Sequence, residues 1–299
     1  MVPFEVPQGA TARGLAPELE SAGLVSSAEG FEWYLRLTKE GGCIKAGRFE
    51  LRPEMSAGEL VETLCGVPLE KSEPFTVVEG WRIREIDAAL AAKGWIQAGE
   101  YTVLAQDPGR FTVGFALPAQ TLEGYLYPET YMVNPEKWDT EAFVQRQLDT
   151  LESQFVEPHR SEIASAGRSL GDLVIMASLL EREEPTEANR PLVAGILWKR
   201  IDNNWNLGVD ATSRYTLDVW NDRSAFLKKL RDPNDVYNTR LRPGLPPTPI
   251  GSPSASALEA ALGPEASEYW YYLHDHQQNI HPAKDARGHE ANRRKYDVY

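Results

Sequence analysis

The first hundred residues repeat one pattern of apolar and polar positions. Alternating apolar residues come first, a turn containing Gly or Pro-Glu follows, and apolar residues four positions apart complete each copy. One copy begins at Phe4, a shorter one at Phe49 and a third at Phe75. Alternation is typical of a half-buried strand, and a spacing of four indicates a helix face. We therefore predict three strand-turn-helix units.

Units as small as these cannot each bury an apolar face, so the copies are expected to pack together. Ser56 and Glu59 form a predicted capping box at the start of the middle helix. The pattern indicates an accessory module that recognises something extended, although a purely structural scaffold fits it as well. Residues 99–117 are rich in Gly, Pro, Gln and Asp and show no helical period, which places a domain boundary near residue 112.

A strongly apolar helix is predicted in the second half of the chain. Ser169 with Asp172 caps its start, an apolar run follows at 173–180, and Pro185 ends it. On a helical spiral the stripe formed by Leu173, Met176 and Leu180 continues, three positions further on, to Glu183. A carboxylate therefore extends an apolar face.

Two effects are expected to raise the pKa of Glu183. Its apolar neighbours remove water, and the last turn of a helix carries partial negative charge. Such a carboxyl can hold a proton near neutral pH, as a general acid must. Glu181 and Glu184 point to other sides of the helix, so their environments should differ. The alternative is a solvated helix end, because Glu-Arg-Glu-Glu runs are common on surfaces.

Two further segments have the composition of groove walls. Residues 121–131 combine tyrosines and carboxylates with a Gly and a Pro, and residues 237–250 form a rigid stretch that presents Asn238 and Arg240. Polar groups beside flat aromatic faces suit sugars. Residues 268–273 are predicted to form a strand whose aromatic side chains pack in the core rather than against a sugar.

Composition narrows the class of protein. The chain has 299 residues, of which 42% are hydrophobic and 25% charged, as expected for a globular protein of about two domains. A formal net charge of −13 would repel nucleic acid and anionic lipid surfaces, so neither is an expected partner. Cys43 and Cys65 are either free or paired, and free thiols are favoured.

The sequence shows neither a membrane span nor a secretion signal. No apolar run approaches the roughly 20 residues that cross a bilayer, and the first residues lack the basic and apolar stretches of a signal peptide. The residues alone therefore predict a cytoplasmic protein, or one whose targeting segment has been trimmed.

Five ordered motifs are similar to those of a known family. The sequences LEGYLYPETY at 122–131, MASLLERE at 176–183, DAT at 210–212, YNT at 237–239 and GLPP at 244–247 together resemble the endolytic murein transglycosylases of the YceG-like family. In the first hundred residues, AGRF at 46–49, residues 56–64 and VEGW at 78–81 resemble the LysM-like N-terminal region of that family. The resemblance covers nearly the whole chain.

The resemblance implies an α+β fold in two parts. LysM-like strand-helix units would form an accessory peptidoglycan-binding region at residues 1–112, and a larger α+β catalytic domain would occupy residues 113–299. The implied activity is cleavage of MurNAc-β-1,4-GlcNAc bonds within nascent glycan strands, which leaves 1,6-anhydro-MurNAc ends and terminates strand elongation. The resemblance implies no metal and no cofactor.

It also implies partners and a location. Peptidoglycan glycan strands are the implied substrate, and cell-wall synthases are implied partners. Because members of the family carry an N-terminal membrane anchor, we expect this chain to be a trimmed ectodomain. It would act in the cell envelope, at the outer face of the cytoplasmic membrane.

The family's catalytic glutamate is the second of a Glu-Lys-Glu motif, and Glu-Arg-Glu here places it at Glu183. This agrees with the helix-face argument. Gly208 stands where the family usually has Gln or a similar polar residue, which leaves a sugar contact at this position open. His281 and His289 lie where the family has His, and His281 has either a structural or a substrate-contacting role. The implied substrate contacts are Tyr127, Glu129, Asp210, Thr212, Asn238 and His281.

Two other functions stay open. A non-catalytic peptidoglycan-binding protein would keep the repeated units and the groove, although the presence of Glu183 argues against it. A glycoside hydrolase would need a second carboxylate beside Glu183, and Glu129 or Asp210 could supply it. The product of cleavage separates the hydrolase from the transglycosylase.

Overall fold

Two short strands carry the apolar alternation at the start of the chain. In the computed structural model, which describes residues 1–69 and 71–298, strand β1 (Val2–Val6) pairs antiparallel with β2 (Gly47–Leu51). Phe4 lies directly opposite Phe49, and both side chains are buried. The two predicted strands are confirmed, because each puts alternate residues into one core.

Three helices cover this pair of strands. They are α1 (Ala12–Ser21), α2 (Ala28–Thr38) and α3 (Ala57–Cys65), and their leucines pack with Phe4 and Phe49 in one apolar cluster. The predicted capping box of Ser56 and Glu59 is present at the start of α3. These elements belong to a first compact unit, made of residues 1–74 and 132–138.

Cys43 and Cys65 form a disulfide, so the favoured prediction of free thiols is wrong. Their Cα atoms lie 5.0 Å apart, within the range that a disulfide requires. The Lys45 N–H donates to the Leu64 carbonyl over 3.0 Å, which holds the two segments side by side. A separation of 22 residues in the sequence carries no sign of this proximity.

The remaining elements, apart from the ends of two strands, belong to a second compact unit, residues 75–131 and 139–299. Within the described residues these are β3 (Glu73–Thr76), α4 (Ile83–Ala92), α5 (Glu100–Ala105), β4 (Thr130–Val133), α6 (Thr140–Leu151), α7 (Arg160–Ser165), α8 (Leu170–Glu183), α9 (Arg190–Asp202), α10 (Asp210–Tyr215), α11 (Arg223–Lys229), α12 (Ala255–Leu262) and α13 (Ala286–Lys295). Helices and two small sheets together make the fold α+β, as predicted.

The domain boundary predicted near residue 112 falls inside this second unit. Helix α5 lies in the segment that showed no helical period, because six residues are too few to display one. The division of function at residue 112 stays a prediction. Tyr299, the last residue of the predicted catalytic region, lies outside the described residues.

Helix α8 is the centre of the second unit. Ser169 and Asp172 form the predicted capping box, and Leu173, Met176 and Leu180 are buried. The helix packs against α10 and α12. Across residues 1–69 and 71–298, no helix is both long and apolar enough to cross a membrane.

Residues 121–131 are mostly core rather than surface. Leu122, Glu123 and Tyr125 are all buried. Gly124 has φ +81°, and a Cβ atom there would lie 2.4 Å from the Cβ of Pro249. The aromatic composition that suggested a groove wall thus also serves close packing.

The strand predicted at residues 268–273 does not form regularly in the described structure. Its residues pair with the following segment through an isolated bridge of Tyr271 with Ala283 and through two backbone hydrogen bonds between Leu273 and His281. A second bridge joins His274, just beyond the predicted range, to Ile280. Trp270 and Tyr271 both donate their N–H groups to the Ala283 carbonyl, over 3.0 Å each. Two donors on one carbonyl act as a bulge that interrupts regular pairing.

We predict that Glu123 makes stability depend on pH. Burial raises the pKa of Glu123 from 4.5 to about 7, against the lowering effect of bonds from the Tyr215 hydroxyl (3.0 Å) and the Ile83 N–H (3.1 Å). A raised pKa means that the folded protein keeps the Glu123 proton up to a higher pH than the unfolded chain does. Stability is therefore lost as pH rises from about 4.5 to 7, by on the order of 3 kcal/mol.

Chemical denaturation of the wild type and of Glu123→Gln between pH 4.5 and 8 measures this effect. The variant cannot ionise at this position. Its free energy of unfolding should therefore increase relative to that of the wild type as pH rises. A difference that stays constant over this range would contradict the prediction.

Candidate active site

A cavity of about 570 Å³ opens at the C-terminal end of helix α8. Its wall includes Glu183, Asp210 and a set of cationic and aromatic side chains, all in the second unit. The other lining residues are Arg200, Gly208, Arg240, Tyr271, Tyr272, Leu273, His274, His289, Arg293 and Val298.

Glu183 is the last residue of α8 and is partly buried. Burial raises the pKa of its carboxyl, and the negative charge of Asp210 raises it further. The Tyr272 hydroxyl donates a hydrogen bond to Glu183 Oε2 over 3.0 Å, and this bond acts in the opposite direction. Because burial also holds the pKa of Tyr272 well above its usual value, that hydroxyl stays a donor.

The neighbouring carboxylates have partners of their own. Glu181 pairs with Arg190 over 3.1 Å and accepts a hydrogen bond from the Ser254 N–H over 2.9 Å. Glu184 is fully buried, and His274 Nε2 lies 2.9 Å from its Oε2. The three environments differ, as the helix geometry predicts, and Glu183 alone of the three lines the cavity.

Arg182 fixes the end of α8 to the turn that contains Gly80. Its guanidinium donates to the Gly80 carbonyl and lies 4.3 Å from the centre of the Trp220 ring. The Gly80 N–H in turn donates to the Ser252 carbonyl over 2.7 Å. Only a glycine fits at Gly251, since a Cβ atom there would lie 2.4 Å from the Gly80 oxygen. The position of Glu183 thus depends on packing contacts outside the cavity.

Asp210 begins α10 and accepts a bond from Arg240 Nε over 2.6 Å. Asn238 is fully buried, and its Oδ1 accepts the Arg240 N–H over 3.1 Å. Thr212 is also fully buried and donates its hydroxyl to the Val209 carbonyl over 2.7 Å. Asn238 and Thr212 therefore shape the loops that present Asp210 and Arg240.

Of the six predicted contact residues, Asp210 alone lines the cavity, and the other five do not. Tyr127 is buried and accepts a bond from the Tyr131 hydroxyl on its carbonyl over 2.7 Å, and Glu129 is exposed. His281 Nε2 lies 2.9 Å from Asp275 Oδ2. The structure thus brings Glu183 and Asp210 together in one cavity, with Asn238 and Thr212 behind its wall. The sugar-contact roles of all these residues stay predictions.

Tyr272 and Arg200 are site residues that were not predicted from the sequence. Tyr271 and Tyr272 are partly buried and line the cavity, so the core assignment of these aromatics was too simple. Aromatic density in residues 268–273 was the signal that could have found them. In the described part of the chain, no cluster of three or more His, Cys, Asp and Glu side chains could hold a metal ion.

The sequence of this chain is similar to those of two known proteins. The chain is 27% identical over 308 residues to a Bacillus subtilis protein named endolytic murein transglycosylase, covering 99% of this chain and 84% of that protein. A Streptococcus pneumoniae protein of the same name is 25% identical over 315 residues, covering 96% of this chain and 57% of that protein. The chain thus spans little more than half the length of the streptococcal relative.

The fold has a counterpart in a crystal structure. A YceG-like protein of Listeria monocytogenes, 23% identical, superposes with a TM-score of 0.65 over 97% of this chain and 98% of that one. A model of the YceG-like family matches residues 4–295. The chain therefore belongs to the YceG-like family.

Proposed function

We propose that this protein is a lytic transglycosylase that cuts peptidoglycan glycan strands internally, with Glu183 as its acid and base. The observation that carries the proposal is a carboxyl of raised pKa in the wall of a cavity of about 570 Å³. The names of the curated relatives support it.

One carboxyl is enough for this reaction, because the substrate supplies its own nucleophile. Protonated Glu183 gives its proton to O4 of the leaving GlcNAc as the bond from C1 of MurNAc to O4 breaks. The C6 hydroxyl of the same MurNAc attacks C1, and its proton passes to Glu183. The acetamido group stabilises positive charge at C1. The product carries a 1,6-anhydro ring, no water is consumed, and Glu183 regains its proton.

The other predicted residues act as supports and contacts in this proposal. Asp210, held by Arg240, contacts the sugar inside the cavity, while Thr212 and Asn238 hold the loops around it. Tyr127, Glu129 and His281 contact sugar or peptide groups beyond the cavity.

We infer that the first unit is LysM-like and captures glycan strands. Its β1-α1-α2-β2 order, with two helices between paired antiparallel strands, supports that assignment. The Cys43–Cys65 disulfide supports action in the cell envelope, outside the reducing cytoplasm.

A two-carboxylate glycoside hydrolase is the second candidate, and one observation favours it. Asp210 lines the same cavity as Glu183, and its charge contributes to the raised pKa of Glu183. A hydrolase would use Asp210 as base or nucleophile. The ion pair between Asp210 and Arg240 favours a positioning role instead.

Digestion of purified glycan strands followed by mass spectrometry tests the proposal. We expect anhydro-ended fragments, each lighter by one water than a hydrolysis product. Reducing MurNAc ends as the sole product would assign the chain to the hydrolase class. Strand binding without cleavage would assign it to the non-catalytic binding proteins.

We predict that Glu183→Gln keeps the fold and loses roughly 10²- to 10⁴-fold in cleavage rate, the usual contribution of a positioned acid-base group. Gln is nearly isosteric but can neither donate nor accept the catalytic proton. Rates of fragment release measure the loss. Glu181 and Glu184 are unsuitable controls because of their buried partners, so the matched control is Glu187→Gln, an exposed carboxylate just beyond α8. Equal rates in the two variants would refute the assignment.

We predict that Tyr272→Phe raises the pKa of Glu183, because it removes a donor that stabilises the charged carboxylate. Since the acid form is the active one, the rate falls as pH rises past this pKa, and the fall should move to higher pH in the variant. Carbon-detected NMR titration of the Glu183 carboxyl and the pH profile of cleavage measure the shift. Tyr269→Phe, in the same segment but not among the residues that line the cavity, keeps the hydrogen bond and should leave both unchanged. A shift to lower pH in Tyr272→Phe would overturn the prediction.

A further inference from the structure

The cavity beside Glu183 is rich in cations although the chain as a whole carries a net charge of −13. Three arginines line it, against the carboxylates of Glu183 and Asp210. Arg240 is paired with Asp210. Arg293 pairs with Glu290, which is not among the lining residues. Arg200 forms no ion pair with a carboxylate within the described residues, and Glu183 supplies the remaining carboxyl of the cavity wall.

Arg200 is held rigidly and keeps its charge available. Its Nε and Nη2 donate to the Trp270 carbonyl over 3.0 and 2.6 Å, and Nη1 donates to the Leu207 carbonyl over 2.5 Å. The guanidinium lies 5.7 Å from the centre of the Tyr272 ring. Within the described residues no carboxylate forms an ion pair with it. Carbonyl partners orient the group without cancelling its charge.

Helix α13 brings two more polar groups to the same wall. Arg293 is partly exposed, and its Nε donates to the Val298 carbonyl over 3.3 Å. His289 stacks on Tyr271 with ring centres 5.2 Å apart. Its Nδ1 is buried and has no hydrogen-bond partner in the part of the chain that the structure describes. The charges of Arg293 and Arg200 add to burial in lowering the pKa of His289, which marks the three as neighbours.

We propose that Arg200, Arg293 and His289 form a subsite for a carboxylate carried by the muramic acid residue of the strand. This rests on the proposed function. MurNAc differs from GlcNAc by a lactyl ether, whose carboxyl is either free or linked to a peptide that carries carboxylates. Rigid guanidinium groups suit such a ligand. An anion subsite in the cavity of Glu183 selects the muramic sugar, and so fixes which glycosidic bond meets the acid.

Binding of strands to the Glu183→Gln protein tests the subsite without cleavage. Native strands are compared with strands whose carboxylates have been converted to amides. We expect the amidated strands to bind roughly tenfold more weakly, or by about 1.4 kcal/mol, because amidation removes the charge that strengthens these hydrogen bonds. Equal affinity for the two preparations would overturn the proposal without any further variant.

The matched pair Arg293→Gln and Arg294→Gln locates the effect. Both arginines lie on α13 and pair with Glu290, over 3.3 and 3.2 Å, but only Arg293 lines the cavity. Introduced into the Glu183→Gln protein, Arg293→Gln should remove the preference for native strands, and Arg294→Gln should keep it. The same preference in both variants would refute the subsite at this position.

Strands treated with an amidase, which frees the lactyl carboxylate, separate the two sources of the anion. Retained affinity assigns the subsite to the lactyl group, whereas reduced affinity assigns it to the peptide. Cleavage by the wild type is followed separately. Normal cleavage with no carboxylate preference refutes the subsite alone, while a preference without any cleavage refutes the transglycosylase and leaves an anion-selective binding site.

Discussion

The end of helix α8 must hold three carboxylates where the helix itself carries partial negative charge. Glu181, Glu183 and Glu184 would repel each other there unless each had a separate partner. Arg190 pairs with Glu181, and the Tyr272 hydroxyl donates a hydrogen bond to Glu183. His274 contacts Glu184. These partners differ in kind, and the difference decides the chemistry.

An arginine carries a full positive charge, and a histidine carries one when it is protonated. A tyrosine offers only a neutral hydrogen bond. Burial outweighs this hydrogen bond at Glu183, and the pKa of its carboxyl is raised. Arg182 also fixes this turn by donating a hydrogen bond to the Gly80 carbonyl. This bond restricts movement of the Glu183 carboxyl toward solvent.

Local signals were sufficient to predict much of the fold. Both capping boxes, the strands at Phe4 and Phe49 and the apolar face of α8 follow from residues within a few positions of each other. Partners distant in sequence could not be predicted in this way. Tyr272 lies 89 residues beyond Glu183, and the bulge opposite Ala283 in its segment has no sequence signature. The Cys43–Cys65 bond escaped prediction for the same reason.

The cation-rich cavity and the raised pKa of Glu183 act against each other in the free protein. Arg200 and Glu183 interact electrostatically, and each favours the charged form of the other. A carboxylate bound beside Arg200 would cancel part of that positive charge and remove its influence on Glu183. The strand would also exclude water from the cavity. Both changes raise the pKa of Glu183 further. In the proposed reaction, binding of an anionic muramic residue would therefore favour protonated Glu183 when the O4 leaving group needs a proton.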